Sequence, residues 1–167
     1  MKRYWAYLKY IIRHKYYVLF AGVMLGKCSL WQLLLHDMSK FRPSEFFPYA
    51  KRFYDENGNS RYQESYSGDV AWNYHIKRNK HHWEYWVYPE FMDINDINLT
   101  IITIPPEYID EMIIDLIATG KTITGNWNDA ISYFEKNKSK MVMRPSVKSY
   151  ISEYLQLLEA KGTLEGK

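Results

Sequence analysis

The chain has 167 residues, of which 47% are hydrophobic and 17% aromatic, with 16 Tyr and 6 Trp. That length and apolar share exclude disorder and predict one globular domain over 1–160 with a frayed tail at 161–167. Lys plus Arg is 22 against 19 for Asp plus Glu, a net charge of +3 that is too weak to imply stable nucleic-acid binding, and the single Cys28 excludes an internal disulfide and fits a reducing cytoplasm.

In chain order, residues 3–24 read as a first helix with apolar positions at Trp5, Leu8, Ile11, Ile12, Val18 and Leu19. Gly26 suits its C-terminal turn, and Ser29 can cap a second helix running through Asp37. The stretch from Tyr16 to Leu35 is apolar enough to raise a membrane-spanning reading. However, Gly26-Lys27 interrupts it and His36-Asp37 closes it, which predicts two buried helices and no membrane. No secretory signal is read at the N-terminus. Pro43 opens a third helix with Glu45 favourably placed near its N-terminus.

Residues 55–68 read as a surface loop, and Asp69 can cap a fourth helix carrying Trp72, His75 and His82. Residues 87–105 predict a short β-hairpin or irregular excursion. Pro105-Pro106 start a fifth helix ending near Gly120. Asn126 or Asn128 can cap a sixth helix, and Pro145 opens a last one to about Ala160. The fold class expected is all-α, a bundle of about six to seven helices with one β excursion.

The chemistry lies in the order of histidines and aspartates: His14, then His36-Asp37, then His75, His81 and His82, then Asp115. Imidazole and carboxylate together suit a divalent metal, and here they could converge from several helices of a bundle. Each piece also has a plainer reading. His36-Asp37 could be a helix end stabilised by Lys40, and Lys40 could instead meet the charge of a bound anion. Asp115 falls at the border of an apolar helix face, as a rim residue or an inward ligand, with Glu111 one turn before it as its support. His75 and His82 share a face if the fourth helix is continuous, roughly 10 Å apart. A break near Asn79 would exchange the roles of His81 and His82. Lys77, Arg78 and Lys80 between them are either phosphate contacts or a solvated basic face.

Taken together, this order resembles the HD-domain superfamily of metal-dependent phosphohydrolases. In particular, His36-Asp37-x-x-Lys40 is similar to its multi-metal branch, which includes HD-GYP phosphodiesterases and inositol oxygenase. No glycine-tyrosine-proline signature follows the histidines. Three stretches resemble, more narrowly, a phage and bacterial family known only as a domain of unknown function. They are Leu35 to Phe41 with Pro43 to Phe46, then Asn79 to Trp86, then Glu111 to Asp115.

The resemblance implies an HD-like helical bundle with one or two divalent ions of Zn, Mn, Fe, Ni or Mg. It implies His14, His36, Asp37 and Asp115 as core metal ligands, with His75 and His82 as further ligands. The expected activity is hydrolysis of a nucleotide or related phosphoester by a metal-activated water, in the cytoplasm of a bacterium or phage-infected host. Asp37 would orient the water and His81 would protonate the leaving group. Lys40, Lys77, Arg78 and Lys80 would meet the phosphate. A di-iron oxygenase and a non-catalytic metal- or nucleotide-binding protein are the alternatives. The chain is also compatible with a homo-oligomer.

Overall fold

The computed structural model describes residues 1–93 and 96–162. Among the described residues it is all-α with a single hairpin. The helices are α1 (Lys2–Leu25), α2 (Leu30–Leu35), α3 (Pro43–Phe53), α4 (Tyr66–Arg78), α5 (Pro106–Thr124), α6 (Asp129–Asn137) and α7 (Pro145–Ala160). Short 3₁₀ turns occupy Met38–Phe41 and Trp83–Trp86, and β1 (Val87–Asp93) pairs antiparallel with β2 (Asp96–Ile101). The hairpin is the excursion predicted over 87–105. No helix among the described residues is long and apolar enough to cross a membrane. Of the predicted tail, Lys161 and Gly162 form a turn and residues 163–167 lie outside the described residues.

α1 is the spine, packed against α2, α3 and α5. Its inward residues serve two apolar clusters. Val18 and Ala21 join Ile113, Ile114, Ile117, Phe134 and Ile151 in the larger one, whereas Tyr7 and Ile11 join Tyr49, Ala50 and Ala71 in the smaller. His14 lies between these two sets on the same helix, so the polar centre sits at the seam of the two clusters. Gly26 ends α1 in the left-handed region, at φ 62, and its N–H and that of Lys27 satisfy the last carbonyls of the helix.

Several predicted boundaries move. α2 stops at Leu35 rather than running through Asp37. His36 leaves helical backbone, and Asp37 adopts φ 56, ψ 18. Lys15 compensates for the early stop, because its Nζ donates to the carbonyls of Leu34 and His36 at 2.9 and 2.8 Å. α4 is capped by Ser65, whose Oγ accepts the Gly68 N–H, and not by Asp69, which pairs with Arg52 instead.

α5 runs past Gly120 to Thr124, and Gly125 at φ 82 is its actual cap. Gly120 serves packing instead. A Cβ there would stand 3.3 Å from the Ala130 nitrogen, so glycine lets the start of α6 close on α5. Asn128 is the α6 N-cap, with its N–H held by Asn126 Oδ1.

Candidate metal centre

Four elements deliver the polar centre. α1 brings His14, and the irregular segment after α2 brings His36, Asp37 and Lys40. α4 and the segment beyond it bring His75, His81 and His82, and α5 brings Glu111 and Asp115. Helix α4 ends at Arg78, and Asn79 takes extended backbone at φ −121. The Asn79 side chain turns back onto its own helix, donating to His75 O at 2.8 Å. This break folds the chain over, so the His75 and His82 rings stand 4.7 Å apart between centroids instead of two helical turns.

Asp37 is the centre of the arrangement, 1% exposed, with one oxygen facing each of two histidine groups. On the Oδ2 side lie His14 Nε2 at 3.6 Å and His36 Nε2 at 3.4 Å. Asp115 Oδ1 closes this group at 3.1 Å from His14 Nε2 and 3.5 Å from His36 Nε2, and the two imidazole nitrogens are 3.4 Å apart. Four donors at about 2.0–2.2 Å from a tetrahedral ion would lie roughly 3.3–3.6 Å from one another. The spacing of His14, His36, Asp37 and Asp115 is therefore in the range for one divalent cation, which would take the place of Lys40 at Asp37 Oδ2. On the Oδ1 side lie His75 Nε2 at 3.3 Å and His81 Nε2 at 3.5 Å, with the His82 ring edge-on to His75 and tilted against His81 at 4.4 Å between centroids. One donor atom each from Asp37, His75, His81 and His82 falls within a 4.8 Å span.

The chemistry of the donors fits a metal as well as their spacing does. Asp37 Oδ1, His81 Nε2 and His82 Nε2 are buried with no hydrogen-bond partner among the described residues. Buried polar atoms are normally paired, so lone pairs left bare in a converging set are a mark of a cation site. Three imidazoles are oriented from behind by carboxylates. Glu111 Oε1 accepts from His36 Nδ1 at 2.9 Å and lies 3.2 Å from His81 Nδ1, and Glu45 Oε2 is 2.9 Å from His75 Nδ1. A carboxylate on Nδ1 leaves Nε2 as the free donor, which is how ligating histidines are usually held. Gln32 Nε2, at 2.7 Å, steadies Glu111, while Ser39 Oγ (2.8 Å) and Arg78 Nη1 (2.5 Å) steady Glu45.

The electrostatics divide the two groups. Burial opposes charge on His36, but Asp37, Asp115 and Glu111 outweigh it and raise His36 well above its ordinary value. Burial instead lowers His75 and, with His81 and His75 as neighbours, lowers His82 further, so these two rings are neutral donors at pH 7. Burial would lift the Glu111 carboxyl, yet its bonds to His36 and His81 hold it at about 2. Asp37 and Asp115 are likewise held well below the usual carboxylate range against the effect of burial, by Lys40 and the histidines for Asp37 and by His14 and His36 for Asp115.

A model of a family of unknown function, DUF5662, matches residues 3–157. The chain belongs to that family. No curated protein and no solved structure matches it.

In this DUF5662 chain the geometry brings together all six residues expected as ligands and gives the other candidate residues the following surroundings. His81 was expected to be a proton donor or surface residue. The break at Asn79 instead makes it 3% exposed and carboxylate-backed, alongside His82 rather than exchanged with it. Lys40 meets Asp37 Oδ2 at 2.5 Å, where an external anion was expected. Glu111 supports His36 and His81 rather than Asp115, whose Oδ1 accepts instead from Thr119 Oγ1 at 3.3 Å.

The basic trio separates. Arg78 is spent on Glu45 and Ser44, Lys80 lies over the Tyr108 ring at 5.4 Å, and Lys77 is exposed on the outer side of α4. None of the three reaches the Asp37 cluster. Glu45 escaped the sequence reading because a glutamate at the third helical position usually bonds back to a hydroxyl cap. Arg42 stands at that cap without a hydroxyl, which leaves the carboxylate free to turn inward and is the signal that could have found it.

Proposed function

We propose that this protein is a metal-dependent phosphohydrolase acting on a nucleotide or related phosphoester. The observation that carries the reading is Asp37, whose two oxygens each face a separate histidine group at ion-binding spacing. His14, His36, Asp37 and Asp115 would hold one divalent ion, and His75, His81 and His82 with the other Asp37 oxygen would hold a second. A divalent metal supplies an acidified water and polarises a phosphoryl oxygen.

The chain's own residues set the approach of the substrate. Most of the cluster is sealed, but the Asp115 side chain is 20% exposed, Lys40 16%, and His82 is half-buried. Those three are the partly exposed edges of the cluster, where a phosphoester would approach. Lys40, paired with Asp37 Oδ2, would be released once a cation took that oxygen and could then offset phosphate charge. Trp72 stands edge-on to His82 at 5.2 Å between centroids and is 40% exposed, which suits stacking on a nucleobase.

The donor set also favours a second reading, a di-iron oxygenase, because five imidazoles with carboxylates suit iron as well as zinc or manganese. The discriminating experiment is elemental analysis of protein purified without chelator, then a screen of nucleotides and phosphoesters for phosphate release. Phosphate release that follows metal content supports the proposal, with KM for nucleotides rising in Trp72→Ala. Iron content with oxygen consumption and no phosphate release would replace it with the oxygenase. Ligand binding without turnover of either kind would leave a non-catalytic binding protein.

A further inference from the structure

We propose that this chain pairs with a second copy of itself through the solvent-facing side of α2 and the 3₁₀ turn that follows. α2 has one arc committed to the molecule. Leu33 is 2% exposed and packs in the larger cluster, and Gln32 Nε2 reaches Glu111 and the Glu107 carbonyl. The opposite arc holds Leu30 (62% exposed), Trp31 (74%), Leu34 (47%) and Leu35 (63%). At about 100° per residue these four span an arc of roughly 140°. Met38, 46% exposed, and Phe41, 37% exposed, carry the surface onto the next turn. Leu35 and Met38 line one shallow depression, so the helical and 3₁₀ parts are continuous.

The size of this face argues for a partner. Six such side chains at those exposures present on the order of 600 Å², the upper end of the largest apolar patch on a typical monomer. That approaches the roughly 800 Å² per partner of a standard interface. Trp, Met and Phe are the residue types enriched in interface centres.

The charge pattern argues that the partner is a second copy. Between Gly26 and Ser44 the single acidic residue is Asp37, which is buried. Lys27 is tied to Asp110, Lys40 to Asp37 and Arg78 to Glu45, so the rim cations without a carboxylate are Arg42 and Lys15, whose Nζ caps the Leu34 and His36 carbonyls. A face with almost no charge offers nothing to select an unlike partner. It is, however, complementary to itself, and a two-fold axis through it closes the assembly without leaving a sticky edge. The pairing does not depend on the enzymatic reading, because none of Leu30, Trp31 or Leu34 belongs to the metal centre.

The test is sedimentation velocity on the full, metal-loaded chain from about 1 to 100 μM, a range in which subunit association is a mass-action equilibrium. The expected mass is twice 20.1 kDa. Trp31→Lys combined with Leu34→Glu is expected to raise the dimer Kd at least about 30-fold, as loss of an interface centre does. Metal content and circular dichroism should be unchanged. Ile123→Glu and Tyr133→Lys, at exposed positions 66% and 56% accessible on α5 and α6, serve as controls that keep the dimer. A chain that stays monomeric at the highest concentration overturns the proposal. So does a dimer insensitive to the α2 substitutions, or a monomer that sediments with phosphatidylglycerol vesicles through Trp31.

Discussion

Asp37 combines an uncommon backbone with a central charge. A non-glycine residue at φ 56 costs of order 1 kcal/mol, and aspartate is among the residues that tolerate it best. That conformation turns both carboxylate oxygens inward. Asp37→Ala is therefore expected to abolish binding at both histidine groups, while Asp115→Ala should leave the His75 group loaded. Elemental analysis of the two variants reads the difference, and equal loss in both would dissolve the two-group arrangement. Glu45→Gln and Glu111→Gln should each weaken metal affinity by about 10- to 100-fold, as loss of an orienting carboxylate does.

Lys40→Met should keep the metal, since it removes a competitor for Asp37, yet lower kcat by about 10-fold or more on the best phosphoester found. The pH dependence follows from His36. Its value is raised in the folded chain, so the stability it contributes is complete below its ordinary 6.5 and is lost as pH rises through the folded value. His75 and His82 are lowered and have already lost their protons in that window. Chelator-treated protein should thus lose thermal stability as pH is raised above 6.5 toward the elevated folded value, whereas metal affinity should rise over the same range because ligands must shed protons. A flat melting temperature of the metal-free protein would show that His36 is not charged there.

At the scale of elements, close packing sets where helices can lie. Gly22 of α1 faces Leu33 of α2, and an added Cβ would meet the Leu33 methyls at 2.3 and 2.6 Å. Alanine there gains about 1 kcal/mol in helix propensity, but displacing a fully packed leucine costs about 1–3 kcal/mol. Gly22→Ala is expected to be destabilising on balance, by urea titration, and to weaken metal binding because α2 leads directly into His36. A stabilised variant would mean that α2 shifts freely. The elements most legible in the sequence were those with strong punctuation: Gly26 after α1, Pro43, Pro105-Pro106 and Pro145 at helix starts, and the β-branched run of the hairpin. The boundaries misread were those where a local signal lost to packing. Asp69 was free to cap but pairs with Arg52, and Gly120 looked like a stop but serves as a contact surface for α6.

For the whole molecule, the candidate ligands come from α1, the segment after α2, the end of α4 and α5, so a bound ion would tie together parts distant in sequence. At a free metal concentration about 100 times Kd, binding to the folded state alone adds about 2.7 kcal/mol. For a chain of this size that corresponds to a rise in Tm of about 5–10 °C. Differential scanning fluorimetry of chelated protein, titrated with Zn²⁺ or Mn²⁺, reads it, and no shift with any divalent ion would remove the metal centre.

The sequence alone determined the helical class and the hairpin, because periodicity and punctuation are local signals, and the order of its scarce histidines and aspartates singled out His14, His36, Asp37, His75, His82 and Asp115 as candidate ligands. The tertiary structure decided what those residues do. Whether His81 points inward depends on Asn79 breaking α4, and whether Glu45 and Glu111 sit behind histidines depends on helices 30 and 75 residues apart in the chain meeting. Lys40, Arg78 and Lys80 carry the same charge in the sequence. Only the packing determines which neighbour each one meets, a carboxylate for Lys40 and Arg78 and the Tyr108 ring for Lys80, because side-chain reach is a few ångströms while sequence spacing says nothing of distance across the core.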